Sequence, residues 1–202
     1  SSFKVPCVIV TTSAENWSME ELSSVAIDDE KAGETIVDYL IEHGHTKIAE
    51  IGANLELSQT AILRHNGYLN SFKKHGITPD ERYYERARFS YDSAYRAMKK
   101  LLEKNIEITA VYAISDVMAI GAIRAILDKG LRVPEDISIT GFDGSTLAEY
   151  YNPKIVSIRQ PHKDMAARSV ELLFSMIDLH KGSCHEIIPF ELTEGESVAR
   201  ID

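Results

Sequence analysis

Two patterns of apolar residues alternate along most of this chain. Short unbroken runs rich in β-branched residues, "KIAEIGA" (Lys47 to Ala53), "TAVYAI" (Thr109 to Ile114) and Ile137 to Gly141 within "VPEDISITGFDGSTLAEY", predict strands covered on both faces. Between them, apolar residues recur every three or four positions and predict helices. Their stripes are Ala32, Ile36, Leu40 and His43; Ala61, Leu63, Tyr68, Leu69 and Phe72; Ala94, Met98, Leu101 and Leu102; and Met118, Ala122 and Ile126. Asp28 or Asp29, Ser58, Ser90 or Asp92, and Ser115-Asp116 stand where helix starts need capping oxygens, and Gly44, Gly76 and Gly130 stand at the stops.

Strands are also expected at Val5 to Val10, more weakly at Tyr83 to Phe89, and at Ile155 to Ile158. From Ala26 to Arg159 the result is a series of βα units, the pattern of a parallel sheet with helices on both faces. The remainder holds the first strand, a long helix with Met165, Leu172, Leu173, Met176 and Ile177 on one stripe, and expected strands near Ile187 to Leu192 and Ser197 to Ile201. These pieces cannot close a domain alone. The expectation is therefore an α/β protein of two lobes: residues 28–159 with 193–202 form one, and residues 1–27 with 160–192 form a second whose beginning is missing.

The 202 residues, 44% of them hydrophobic, suffice for one large core or two modest ones. No run approaches the roughly 20 apolar residues a membrane span needs, and "SSFKVPCVIVTT" does not read as an export signal. Cys7 and Cys184 form no spaced framework, which favours free thiols and a reducing cytoplasm. With 22 basic against 31 acidic residues, the charge of -9 argues against DNA binding by this segment itself.

In open parallel sheets, loops leaving the carboxyl ends of strands converge on a ligand. Position alone then selects Thr11 and Thr12, the loop Asn54 to Ser58 with Arg64 one turn into its helix, Phe89, Ser115 and Asp116, Asp143, and Gln160. A guanidinium, carboxylates, an amide, hydroxyls and an aromatic face suit a sugar or nucleoside, whose hydroxyls need directional partners while the ring packs on an apolar surface. No nucleophile elbow, phosphate-cradling loop or dinucleotide fingerprint is present, which favours binding over catalysis.

"DYLIEHGHTKIAEIG" (Asp38 to Gly52), "RHNGY" (Arg64 to Tyr68), "TAVYAISDVMAIGAIRAILDKGLRVPEDISITGFDG" (Thr109 to Gly144) and "YYNPKIVSIRQPHKDMAARSVELL" (Tyr150 to Leu173) together resemble the effector-binding domain of LacI/GalR repressors. The resemblance runs from about Val5 to Phe190. It implies two periplasmic-binding-protein-like lobes, each a doubly wound parallel sheet, joined by three crossovers near Asp28, Gln160 and Leu192. It further implies a small-molecule effector, most simply a sugar, held in the interlobe cleft by Arg64, Phe89, Asp143 and Gln160. Thr11 and Ser115 complete the candidate set. Ser115-Asp116 stands where the family usually has Asn-Asp, replacing an amide with a shorter hydroxyl. The family also implies a homodimer, no enzymatic activity, no cofactor, and DNA contact through an amino-terminal helix-turn-helix domain that this sequence does not contain.

Plainer explanations exist for several of these residues. Asp143-Gly144 suits a turn, Arg64 a surface ion pair, Phe89 a core, and Ser115 and Asp116 a helix cap. His180, Cys184 and His185, or His43 with His45, lack a convincing fourth ligand, so no metal site is expected. The rival function is a sugar-binding protein of a transport system, which shares the fold. "VPEDIS" and "RQPHKDMA" are the repressor-like segments that weigh against it.

Overall fold

The computed structural model describes residues 5–14, 22–178 and 182–201. The chain divides into two compact units, one built from residues up to Asp28 together with Gln160–Phe190, the other from Asp29–Arg159 together with the residues from Glu191 onward.

The first unit is a parallel three-stranded sheet of order β1 (Cys7–Val10), β2 (Leu22–Ala26), β8 (His185–Ile187), with the long helix α6 (His162–Asp178) packed on β1 and β2. Strand β2 is buried throughout despite its two serines. Ser23 Oγ accepts from Cys184 N and Ser24 Oγ accepts from Ala14 N, so both hydroxyls tie neighbouring backbone to the sheet. Helix α6 buries Met165, Leu172 and Met176, while Val170, Phe174 and Ile177 face outward. His180, one of the residues weighed as a metal ligand, lies outside the described residues.

The second unit runs α1 (Asp29–Glu42), β3 (Ile48–Gly52), α2 (Gln59–Lys74), a single 3-10 turn at Glu81–Tyr83, β4 (Tyr84–Arg86), α3 (Tyr91–Glu103), β5 (Ala110–Ala113), α4 (Asp116–Asp128), β6 (Ser138–Asp143), α5 (Thr146–Glu149), β7 (Val156–Arg159) and, near the end of the chain, β9 (Glu191–Thr193). Its six strands lie in the order β4-β3-β5-β6-β7-β9, all parallel except β9, which runs antiparallel along the outer edge of β7. After β3 the chain moves outward to β4, then crosses back over β3 to reach β5. Right-handed crossovers in opposite directions put their helices on opposite faces, and the helices do pair as α1 with α2 and α3 with α4.

Two glycines set how closely the first pair packs. A Cβ on Gly67 of α2 would sit 2.3 Å from the Glu30 carbonyl oxygen, and one on Gly33 of α1 would sit 2.7 Å from that of Arg64. Only hydrogens fit at this crossing.

The structure departs from the sequence reading at the strand edges. The expected strand Tyr83 to Phe89 shrinks to Tyr84–Arg86. Ser197 to Ile201 forms no strand, because its backbone makes single bonds to separate elements: Ser197 O accepts from Ile139 N, and Ile201 N donates to His43 O. The apolar run near Ile187 to Leu192 divides between β8 and β9, which belong to different units.

Candidate functional site

The chain's reversal of direction places a topological switch point between β3 and β5, the position where open α/β sheets bind ligands. Arg64 reaches it. Ser58 starts α2 by accepting from Ala61 N, which directs the helix from the end of β3 and puts Arg64 on its inward face. Arg64 Nη1 then donates to the carbonyl of Ile114, just past β5, at 2.6 Å, and Nε donates to Asp29 Oδ1 at 2.7 Å. The Phe142 ring lies 3.5 Å below the guanidinium carbon, a cation–π contact in a site almost without water. Arg64 is 3% exposed, yet its Nη1 is 3.7 Å from Asp143 Oδ1, and the Asp143 side chain is 31% exposed. A buried cation thus lies directly behind a carboxylate that solvent can reach.

Asp143 ends β6 with φ of 113°, and Thr11, one residue past β1, has φ of 73°. Among the described residues these are the non-glycines in the left-handed half of the map, and both belong to the candidate set read from the sequence. Such conformations cost about 1–3 kcal/mol each and persist where the surroundings impose them. The surroundings of Asp143 are visible. Asp116 Oδ2 accepts from Ser145 N and Oδ1 from Ser157 Oγ, both at 2.6 Å, while Ser157 Oγ accepts from Gly144 N. Burial raises the Asp116 pKa, and the Ser157 and Ser145 bonds offset part of that rise. Gly141 is needed beside it, since a Cβ there would sit 2.3 Å from Asp116 Oδ1.

Ser115 is the N-cap of α4, its oxygen accepting from Met118 N, and is 3% exposed. Phe89 is 48% exposed on the loop between β4 and α3, just before the Ser90 cap. In the other unit, Thr11 N donates to Val25 O, and Gln160 follows β7 and is 6% exposed. The structure therefore joins Arg64 to Asp143 directly and sets Phe89 and Ser115 on the same carboxyl edge of the sheet. Thr11 and Gln160 lie in the first unit.

Asp29, marked by the sequence only as a helix cap, is the partner of Arg64. Glu50, a carboxylate in the middle of β3, is a second residue outside the candidate set. Glu50 Oε2 is 2.6 Å from His65 Nδ1, on the residue next to Arg64, and Glu50 Oε1 has no hydrogen-bond partner. Glu50, Tyr112 and Thr140 are register neighbours across β3, β5 and β6, and the Tyr112 and Thr140 hydroxyls are buried without partners too. A glutamate inside an otherwise apolar strand was the available signal. No group of three or more metal-ligating side chains occurs among the described residues. His43 Nδ1 and His45 Nε2 instead lie within hydrogen-bond distance of the Tyr39 and Ala199 carbonyls.

The periplasmic binding protein-like domain family matches residues 37–198. The HTH-type transcriptional regulator MalR of Clostridium butyricum is 39% identical over 199 residues, 98% of this chain and 59% of that protein. The HTH-type transcriptional repressor CytR of Escherichia coli is 35% identical over 173 residues, 85% of this chain and 50% of that protein. The chain thus spans about half the length of these relatives. Among solved structures, a complex of the transcriptional regulator CelR with cellobiose superposes with a TM-score of 0.86 at 28% identity, covering 95% of this chain and 65% of that one. A LacI family regulator from Enterococcus faecium with bound ribose gives 0.87 at 26% identity, covering 98% and 72%.

Proposed function

The chain belongs to the periplasmic binding protein-like family and, within it, to the LacI-type transcriptional regulators, and from that premise we propose that it is the effector-sensing part of a bacterial regulator working in the cytoplasm. It takes a small polar metabolite, a sugar or sugar derivative; Arg64, Phe89, Ser115 and Asp143 are the contacts proposed in the second unit, and Thr11 and Gln160 those proposed in the first. The observation that carries this reading is Arg64 at the switch point, backed by Asp29 and facing the strained, solvent-reachable Asp143.

Each side chain has a fitting task. Asp143 accepts from ligand hydroxyls, and Phe89 offers an exposed ring face for the apolar side of a sugar. Ser115 contributes a short hydroxyl, Gln160 an amide that donates and accepts, and Thr11 a hydroxyl on a strained turn. No catalytic step is assigned, and the relatives are regulators. Their identity in sequence supports regulation over the transport alternative.

In the whole protein, DNA contact falls to a separate helix-turn-helix domain, in keeping with the HTH-type names of the relatives. The protein works as a homodimer, for which the outward Val170, Phe174 and Ile177 of α6 supply apolar surface. Ligand switches the regulator only as far as it binds one conformation more tightly than the other. Calorimetric titration of the purified chain with pentoses, hexoses, disaccharides and nucleosides tests the reading. Saturable heat that Arg64→Ala or Asp143→Ala removes is expected, and binding unchanged in both variants would refute the site.

A further inference from the structure

The charge on Arg64 is already matched from within the protein. Nε is held by Asp29 at 2.7 Å, and the two side chains are 4% and 1% exposed. Nη1 is held by the Ile114 carbonyl, and the guanidinium face is covered by Phe142. Pulling the guanidinium toward an incoming anion would strand the Asp29 carboxylate in a dry interior, a costly arrangement. On the side that solvent reaches stands Asp143, a second carboxylate, 3.7 Å from Nη1.

At the helix starts of this edge a capping serine already takes one amide each. Ala61 N of α2 and Met118 N of α4 already donate to the capping serines Ser58 and Ser115. An arriving phosphate would therefore meet a balanced cation and a carboxylate, whereas a hydroxyl would meet an acceptor to which it can donate.

We propose that Asp29 is a specificity-determining residue of this site, acting through Arg64 so that the site takes uncharged polyols and rejects their phosphate esters. The proposal rests on the sensor reading above and adds the ligand's charge class to it. Asp29 touches no ligand; it neutralises and orients the guanidinium that stands behind Asp143.

The test is calorimetry on the purified chain with matched pairs: ribose and ribose 5-phosphate, glucose and glucose 6-phosphate, cellobiose and its phosphate ester, cytidine and cytidine monophosphate. Each pair is run on the wild type and on Asp29→Asn, which keeps the shape and removes the charge. In any pair that binds, the neutral member is expected to be at least tenfold tighter, and Asp29→Asn to shrink that ratio at least fivefold. A purely structural role for Asp29 would weaken both members alike, so an unchanged ratio in the variant overturns the proposal. A phosphate ester that binds the wild type as tightly as its neutral partner overturns it too, while leaving the sensor reading intact. Absence of binding in every pair removes the sensor reading and this proposal together. Should Asp29→Asn fail to fold, Asp29→Glu serves: it keeps the charge beside Arg64, so the neutral member should remain at least tenfold tighter, and a ratio that collapses overturns the proposal.

Discussion

His65 Nδ1 lies 2.6 Å from Oε2 of Glu50, a carboxylate 1% exposed in the middle of the second unit's sheet. Burial lowers the pKa of His65, but the Glu50 hydrogen bond and charge outweigh it, and the net shift is upward. Burial likewise raises Glu50, against a smaller opposing pull from His65. Both shifts mean that the folded protein holds protons that the unfolded chain would release.

The sign of the pH dependence follows. For a histidine raised on folding, the contribution to stability is complete below about 6.5, its unfolded pKa, and is lost as pH rises through the folded value. Wild-type stability to urea should therefore fall as pH rises above about 6.5, and the fall should shrink in His65→Gln. NMR titration of the His65 ring should give a midpoint above the ordinary histidine value that drops in Glu50→Gln. A pH-independent difference between wild type and His65→Gln would show that the pair exchanges no proton.

Arg64→Ala and Asp143→Gly should separate stability from binding. The first leaves Asp29 buried without its cation and should cost about 3 kcal/mol or more. The second replaces a residue at φ of 113° with one that tolerates it, and should stabilise the unit by about 1 kcal/mol while abolishing sugar binding. Urea denaturation and calorimetry on the same preparations check both halves. Loss of stability in Asp143→Gly would mean that the contacts of its side chain, that with Arg64 among them, outweigh the strain of its backbone.

Gly67→Ala sets two effects against each other. In a free helix the change should gain about 1 kcal/mol. Here the new methyl would lie 2.3 Å from Glu30 O and 2.5 Å from Glu34 N, so α1 and α2 must part. Overpacking of this kind typically costs 1–3 kcal/mol and wins. Thermal unfolding should show a lower midpoint, and sugar binding should weaken as well, because the Asp29–Arg64 pair spans the same two helices.

Ser115→Ala should cost about 1 kcal/mol through the lost cap on α4. Binding measured beside stability separates its two roles. A cap alone leaves affinity nearly unchanged, whereas contact with the ligand weakens it severalfold.

The alternation of strands and helices was legible because it rests on local periodicity, and the second unit's five parallel strands follow it closely. Asp143 was legible because a strand ending in Phe-Asp-Gly is a local signal. The pairing of Asp29 with Arg64 was not, since an ion pair 35 residues apart depends on how α1 crosses α2, and Gly33 and Gly67 reveal that only once the helices are placed. Ser197 to Ile201 misled for the opposite reason. Its apolar residues, Val198 and Ile201, suit a strand, yet its backbone groups bond separately to Ile139 of β6, to Lys154 before β7, to the Ser138 hydroxyl and to His43 just after α1.

Strand β9 and Ser197 carry a further consequence for synthesis. Strand β9 closes the outer edge of β7, and Ser197 Oγ donates to Ile139 O while accepting from Val156 N. A ribosome delivers these residues after the five parallel strands of the second unit. Until they leave the exit tunnel, β7 presents a bare edge that a neighbouring nascent chain could pair with, so β9 and the residues after it act as a seal applied once the parallel strands have emerged.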